Sequence, residues 1–278
     1  MRHTFTIIVS VLNSASTLQR CIDSVINQTY PYKELIIMDG ESIDGTVEIL
    51  QINDNSIDYW ESKKDSGVYN AWNKGLDHAN GDWIYFLGAD DYLFSHSVLE
   101  GIAHELDKLE SKYKLVYGVV CIINEDGKII FNKGEPWEKY DQTRSHSMVM
   151  PHQGVFHHRD IFEEHGRFDE SFLVCGDIDF LFKVLKHNEP YFLPGLTIAA
   201  KSYYGISSNP KNKLLILKEV YKARRNNGLK SITLLWLFEY SWALSLGFLQ
   251  KIVGRKGVRN IIKSYCKLTN QPPYWEKY

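Results

Sequence analysis

Within its first ninety residues the chain alternates buried apolar strands with amphipathic helices, and this alternation constrains the fold most. "FTIIVSVL" (5–12) and "KELIIMDG" (33–40) are β-branched runs of the kind that parallel strands buried on both faces require. Between them, Leu18, Cys21, Ile22, Val25 and Ile26 fall at helical spacing, and Pro31 closes that helix. "DGTVEILQIN" predicts a second helix with Asp44 as its N-cap, "IDYWES" a third strand, "GVYNAWNKGLDHAN" a helix ending at Gly81, and "DWIYFLG" a fourth strand. Order β-α-β-α-β-α-β predicts an open, Rossmann-like, mostly parallel α/β sheet with right-handed crossovers. Ligands of such sheets sit beyond the carboxyl ends of the strands. Those ends here carry Ser10, Asp39 and the adjacent pair Asp90–Asp91.

Two neighbouring carboxylates repel, so they persist where water solvates them or a cation shares them. Mg²⁺ or Mn²⁺, held by one or two carboxylates and completed by phosphate oxygens, is the common resolution. A solvated turn after a strand is the plain alternative.

The later sequence is less regular. "KLVYGVVCIIN" and "GKIIFNK" predict strands around a turn at Asp126-Gly127. "PHQGVFHHRDIFEEHGRFDE" reads as loop, strand, helix and loop, "DIDFLFKVLKHN" as a helix, and "PYFLPGLTIAAKSYYG" as a late strand. His152, His157 and His158 have no helical H-x-x-x-H pair and no cysteine partner, so zinc is a poor reading of them. Cys21, Cys121, Cys175 and Cys266 form no C-x-x-C pair and read as reduced thiols. The start, "MRHTFTIIVSVLN", lacks the apolar core and cleavage site of a signal peptide, which leads us to expect a cytoplasmic protein.

Charge divides the 278 residues. Residues 1–210 hold 18 Lys+Arg against 31 Asp+Glu, whereas 211–278 hold 14 against 3. An acidic body with a basic tail implies that the tail meets something anionic. Residues 232–249 are mostly apolar, rich in aromatics and interrupted by Glu239, and lysines and arginines follow. That stretch is short for a span and favours a helix lying on a membrane surface; packing on the body or a second copy, and true spanning, stay open. Nothing in the body supports nucleic acid as the partner, and a homo-oligomer is left open.

Taken in order, "V-x-x-x-N" (Val9 to Asn13), "DGESIDGT" (Asp39 to Thr46), "DSGVYNAWNKG" (Asp65 to Gly75) and "GDWIYFLGADD" (Gly81 to Asp91) resemble the family 2 glycosyltransferases, which have a GT-A fold. The match is closest to the branch that builds bacterial surface polysaccharides of the O-antigen, capsule or colanic-acid type, and it covers about residues 4–208. This resemblance implies a GT-A domain over 1–210, with a nucleotide-binding half (1–95) and an acceptor-binding half (96–210), followed by a basic helical tail (211–278). It implies transfer of one sugar from a nucleotide-sugar donor, UDP-hexose or UDP-N-acetylhexosamine, to a saccharide linked to undecaprenyl diphosphate at the inner face of the cytoplasmic membrane. Asp39 would accept from the base, with Ser10, Leu12, Asn13 and Ser42 lining the same pocket. Asp65, Asn73 and Lys74 would serve the donor, though Lys74 reads equally well as a solvated charge. Asp91 and Asp90 would be the DxD-type motif for Mn²⁺ or Mg²⁺, with Asp91 the more direct ligand. His152 and Gln153 would lie near donor sugar and acceptor. Asp177 would be the catalytic base of an inverting reaction, with a helix N-cap as its structural alternative and Asp179 as the second candidate base. Gly88 departs from the branch, which often has Asn there, and Tyr204 replaces the first Gly of a closing "G-G-x-S" loop. The "Q/R-x-x-R-W" motif of processive members is absent. Two rivals are a nucleotidyltransferase, disfavoured because "SVLNSAST" has no Gly-rich basic loop, and a non-catalytic nucleotide-sugar-binding or scaffold protein.

Overall fold

A computed structural model describes residues 2–124, 126–139, 150–203 and 205–229, together with 236–238, 240–245, 254, 260 and 264. The chain forms two units, Met1–Tyr203 and Tyr204–Tyr278. The first is a mixed α/β domain built on one nine-stranded sheet.

Strands β1 (Phe5–Val11), β2 (Lys33–Asp39), β3 (Tyr59–Ser62) and β4 (Trp83–Gly88) pair in parallel in the order β3-β2-β1-β4. Five of the first six positions of β1 and the last five of β2 are buried, as a central sheet covered on both faces demands. Helix α1 (Leu18–Ile26) turns Leu18, Cys21, Ile22 and Val25 inward. α2 (Thr46–Ile52) follows β2, and α3 (Val68–His78) precedes β4. α3 lies so close to β1 that a Cβ on Gly75 would sit 2.5 Å from Ile8 Cγ2. Asp44 is not the N-cap of α2. Gly45, at φ 99°, takes that position, while Asp44 Oδ1 accepts from Thr46 N–H at 3.1 Å.

Beyond β4 the sheet continues through β8 (Val155–His158), β6 (Leu115–Ile123), β9 (Pro190–Ser202) and β5 (Tyr92–Leu93), with β7 (Ile129–Lys133) hairpinned onto β6. β8 is antiparallel to both β4 and β6, whereas β6 and β9 are parallel. Gly127, at φ 76°, supplies the left-handed residue of the β6–β7 turn. α4 (Val98–Leu106), α5 (Asp160–His165) and α6 (Gly176–Val184) complete the first unit. α4 has no counterpart in the sequence reading. It is nine residues long with Gly101 at its centre, which weakens its helical signal. That glycine permits close packing, since a Cβ there would lie 2.9 Å from Leu196 Cδ2.

Glu34 ties β1, β2 and the α3–β4 turn together. Its Oε1 accepts from Thr6 Oγ1 at 2.5 Å, Asn80 N–H at 2.5 Å and Gly81 N–H at 3.1 Å. Thr6 Oγ1 in turn accepts from Gly81 N–H at 2.8 Å.

The second unit contains α7 (Lys213–Asn226), which buries Leu217, Val220 and Ala223. Within the same unit Trp236 donates from Nε1 to the Leu217 carbonyl at 3.2 Å and stacks on Tyr240. Leu237, Phe238, Trp242 and Leu244 are exposed. Among the described residues, no helix is long and apolar enough to cross a membrane. Residues 232–235, 239 and 246–249 of the apolar tail stretch, and Cys266, lie outside the described residues.

A Cβ on Gly81 would lie 2.6 Å from Thr6 N and 2.8 Å from the Phe5 carbonyl carbon, both backbone atoms that cannot yield. Gly81→Ala should therefore cost about 1–3 kcal/mol, read as a lower urea midpoint at unchanged m-value. An unchanged midpoint would contradict this packing.

Candidate active site

Parallel register brings the chemistry-bearing residues to one end of the sheet. Asp39 pairs with Val11 on one side and Ser62 on the other, and Ser10 pairs with Gly88. The carboxyl ends of four strands are thus level, and the loops that leave them form a shared rim.

Asp39, only 1% exposed, organises the β2 side of that rim. It accepts from Ser42 N–H at 3.0 Å, Ser42 Oγ at 2.5 Å and Ser62 Oγ at 2.5 Å. Ser42 Oγ also accepts from Asn13 N–H at 2.7 Å, and Asn13 Oδ1 accepts from Ile43 N–H at 3.0 Å. Asn13 and Glu41 are the only described non-glycine residues at positive φ, 49° and 70°. Each costs about 1 kcal/mol or more, and the Asp39 hydrogen bonds hold this rim in place. Three of the carboxylate's roughly four acceptor sites are therefore engaged within the chain. Leu12 is 58% exposed beside them. Asp65 caps the Gly67 N–H at 3.0 Å and packs over Gly40, whose Cβ would lie 2.9 Å from Asp65 Oδ2.

Asp91, the end of the pair, is buried at 3% exposure, while Asp90 is half-buried. Ser202 N–H donates to Asp91 Oδ1 at 2.9 Å. Arg20, from α1, donates to the Asp90 carbonyl at 3.0 Å, and its guanidinium lies 4.5 Å over the Tyr92 ring. Burial and then the neighbouring Asp90 push Asp91 up to about 7, against Lys201, the Ser202 N–H and Arg20.

A Cβ on Gly88 would stand 3.0 Å from Asp90 Oδ1 and 3.0 Å from Asp91 Oδ2. Two carboxylate oxygens thus converge over a residue without a side chain. Hard oxygen donors of this kind fit Mg²⁺ or Mn²⁺. Among the described residues no group of three or more His, Cys, Asp or Glu side chains is placed to hold a metal ion, so an ion on this pair would take its remaining ligands from phosphate and water. The glycine that departs from the branch keeps this space open.

Asp177 is half-buried at the start of α6, whose N-cap is Cys175. It is thus the helix's second residue and not its cap. Its Oδ1 accepts from Tyr69 Oη at 3.2 Å and from the Ile178 N–H at 2.9 Å. Burial raises its pKa above the usual carboxylate range, opposed by Ile178 N–H, Lys201 and Tyr69. α6 and α3 meet closely, because a Cβ on Gly176 would lie 2.8 Å from the Tyr69 ring. Asp179, two residues further along α6, is buried at 9% exposure.

Asn73 is buried and clasps the loop before α6, accepting from Phe168 N–H at 3.1 Å and donating to the Phe168 carbonyl at 3.0 Å and to Glu170 Oε1 at 2.8 Å. Lys74 donates to the Lys64 carbonyl at 3.3 Å. Gln153 accepts at its carbonyl from Tyr85 Oη at 2.6 Å. His152 is 4% exposed and stacks on Trp72 at 5.1 Å. Its Nε2, both nitrogens of His157 and Trp72 Nε1 have no hydrogen-bond partner among the described residues. Tyr204 lies outside those residues, and Gly205 to Ser208 belong to the second unit.

The sequence reading did not single out Arg20, Ser62, Tyr69, Lys201 or Ser202. Tyr69 lies inside the "GVYNAWNKG" motif and Ser62 ends a strand, but only the fold reveals their carboxylate partners.

Residues 6–162, more than half of the chain, match the family model described as glycosyl transferase family 2. The chain belongs to this family. It is 34% identical over 181 residues to a PGL/p-HBAD biosynthesis glycosyltransferase of Mycobacterium bovis, covering 63% of this chain and 67% of the relative. It is 28% identical over 235 residues to an uncharacterized glycosyltransferase of Rickettsia typhi, covering 82% and 72%. In fold it is similar to residues 1–349 of S. aureus TarS in complex with UDP-GlcNAc, at a TM-score of 0.63 and 16% identity over 98% of this chain and 89% of that one. It is similar also to a mannosyltransferase of Pyrobaculum calidifontis in complex with GDP-Man and Mn²⁺, at a TM-score of 0.65 and 14% identity over 99% and 82%. The GT-A fold and the glycosyltransferase activity expected from the motifs therefore hold.

Burial holds His152 down to about 3, with Lys201 adding to the effect; burial and then His152 hold His157 well below its ordinary value. Both rings are neutral in the folded chain, while the unfolded chain protonates them near pH 6.5. Their contribution is complete above that pH and is lost as pH falls toward the folded values, by up to about 1.4 kcal/mol per pH unit for each ring. Urea unfolding between about pH 6.5 and pH 5 should show this slope, and His157→Phe should reduce it by about half. An equal slope in wild type and variant would contradict the assignment.

Proposed function

We propose that this glycosyltransferase is metal-dependent and inverting, and that it moves a single hexose or N-acetylhexosamine from a nucleotide donor, UDP-linked in the first instance, to a saccharide acceptor. The convergence of the Asp90 and Asp91 carboxylates over Gly88 carries the reading. At the carboxyl end of β4, beside the Asp39 rim, it is suited to a cation shared with a diphosphate. That cation would be Mn²⁺ or Mg²⁺, held by Asp91 and Asp90, and its chemistry would be neutralisation of the departing diphosphate.

The chain's own residues supply the rest. Ser10, Leu12, Asn13 and the Asp39–Ser42–Ser62 rim receive the nucleoside, with Asp65 beside them. Asp177, held by Tyr69, takes the proton of the acceptor hydroxyl as its oxygen attacks the anomeric carbon. Burial makes Asp177 a stronger base than an exposed carboxylate, which suits proton abstraction near neutral pH. Attack opposite the leaving group inverts the configuration at that carbon. Chemistry and proton acceptance thus fall to residues in the first unit.

The acceptor we favour is linked to a lipid diphosphate, in the building of a bacterial surface polysaccharide. The exposed Leu237, Phe238, Trp242 and Leu244 of the second unit, followed in sequence by a run of Lys and Arg, support attachment to an anionic membrane surface. We place the protein in the cytoplasm on the inner face of that membrane.

Purified protein incubated with a panel of UDP- and GDP-sugars and Mn²⁺ or Mg²⁺ should turn over one donor, by slow hydrolysis or by transfer. Asp91→Ala should abolish this turnover, and Asp177→Asn should reduce transfer by about 10²–10⁴-fold while leaving donor binding within a few-fold. Turnover that is indifferent to metal and to Asp91→Ala would overturn the proposal.

A further inference from the structure

β9 carries a lysine next to the residue that contacts Asp91, and no motif drew attention to it. Pairing fixes its place: Ile122 of β6 lies opposite Lys201, and Tyr92 of β5 lies opposite Ala200. The next residue, Ser202, gives its N–H to Asp91 Oδ1 at 2.9 Å. The lysine is therefore one residue from a direct contact to the carboxylate pair, on a strand paired on both sides. It is half-buried, and it lies within electrostatic reach of Asp91, Asp177 and His152. Lys133, on β7, lies within reach of the same lysine and of Asp177.

Lys201 is thus one residue along β9 from the Asp91 contact and influences both a proposed cation ligand and the proposed base through its charge. In a displacement at the anomeric carbon, the bond to the leaving phosphate would break in the region that these groups share. The carboxylates there raise a problem for any nucleoside diphosphate, because Asp90, Asp91 and Asp177 all repel it. One divalent ion on two carboxylates leaves little net charge for the added negative charge that the diphosphate gains on leaving. An ammonium fixed on a strand supplies charge there with no reorganisation at the moment of reaction.

Resting on the glycosyltransferase reading above, we propose that Lys201 is a catalytic residue that donates a hydrogen bond to the phosphate oxygen of the leaving nucleoside diphosphate. The balance is as follows. The acceptor oxygen forms a bond to the anomeric carbon, and its proton passes to Asp177. The bond from that carbon to the phosphate oxygen breaks, and the electron pair stays on the phosphate. Lys201 remains an ammonium throughout and stabilises the charge that appears.

Calorimetric titration of wild type, Lys201→Met and Lys201→Arg with UDP, GDP and their nucleosides, each in Mn²⁺ and in EDTA, tests this. Wild type should bind a nucleoside diphosphate in both conditions, more weakly in EDTA. Lys201→Met should weaken diphosphate binding at least about ten-fold in both and leave nucleoside binding and the melting temperature unchanged. Lys201→Arg should restore most of the loss. Equal diphosphate affinity in wild type and Lys201→Met would overturn the role of Lys201 alone, and so would an equal loss of nucleoside binding, which marks a structural effect. A wild type that binds no nucleoside diphosphate in either condition would overturn the donor reading, and this inference with it.

Discussion

Repulsion between two carboxylates at the buried end of a central strand is the constraint around which the first unit is built. Asp91 is almost wholly buried and adjoins Asp90, an arrangement that disfavours its charged form. The fold answers from three directions. β9 brings the Ser202 N–H to Asp91, α1 brings Arg20 to the Asp90 backbone, and Gly88 leaves an open point between the two side chains. Lys201, the Ser202 N–H and Arg20 partly offset burial and the Asp90 charge, and Asp91 is still pushed up to about 7. On the proposed reading, a cation shared by the pair would relieve this state.

The Asp39 side of the rim follows the opposite logic. There one carboxylate collects three hydrogen bonds and uses them to hold two loops, including non-glycine residues in the left-handed region. Asp39 is thus satisfied within the chain, whereas the repulsion of the Asp90–Asp91 pair is only partly offset. Both depend on parallel register, which sets the ends of β1, β2, β3 and β4 level.

Much of this was legible in the sequence, for a physical reason. Parallel strands buried on both faces must be continuous apolar runs, so β1, β2 and β4 announce themselves, and polar residues at their ends stand out. Later elements were legible unevenly. β8 and α5 were read in order from "PHQGVFHHRDIFEEH", but β5 is two residues long, too short for any periodicity, and α4 carries a glycine that long-range packing against Leu196 explains. Asp177 stood out as a candidate through its motif, yet its hydroxyl partner, Tyr69, lies 108 residues away and becomes visible only when α3 and α6 meet. Asn73 shows the same limit: its hydrogen bonds to Phe168 and Glu170 on a distant loop could not be read from its motif. Lys201 belongs to no motif, and only the pairing of β9 places it near Asp91.

The central claim is that Asp90 and Asp91 hold a cation jointly with a diphosphate. Electron paramagnetic resonance of Mn²⁺ titrated into EDTA-stripped protein, with and without UDP or GDP, tests it most directly. The account predicts weak binding of Mn²⁺ alone, much tighter binding of one ion per chain with a nucleoside diphosphate, and loss of that site in Asp91→Asn. Mn²⁺ binding that is unaffected by nucleotide, or unchanged in Asp91→Asn, would contradict it.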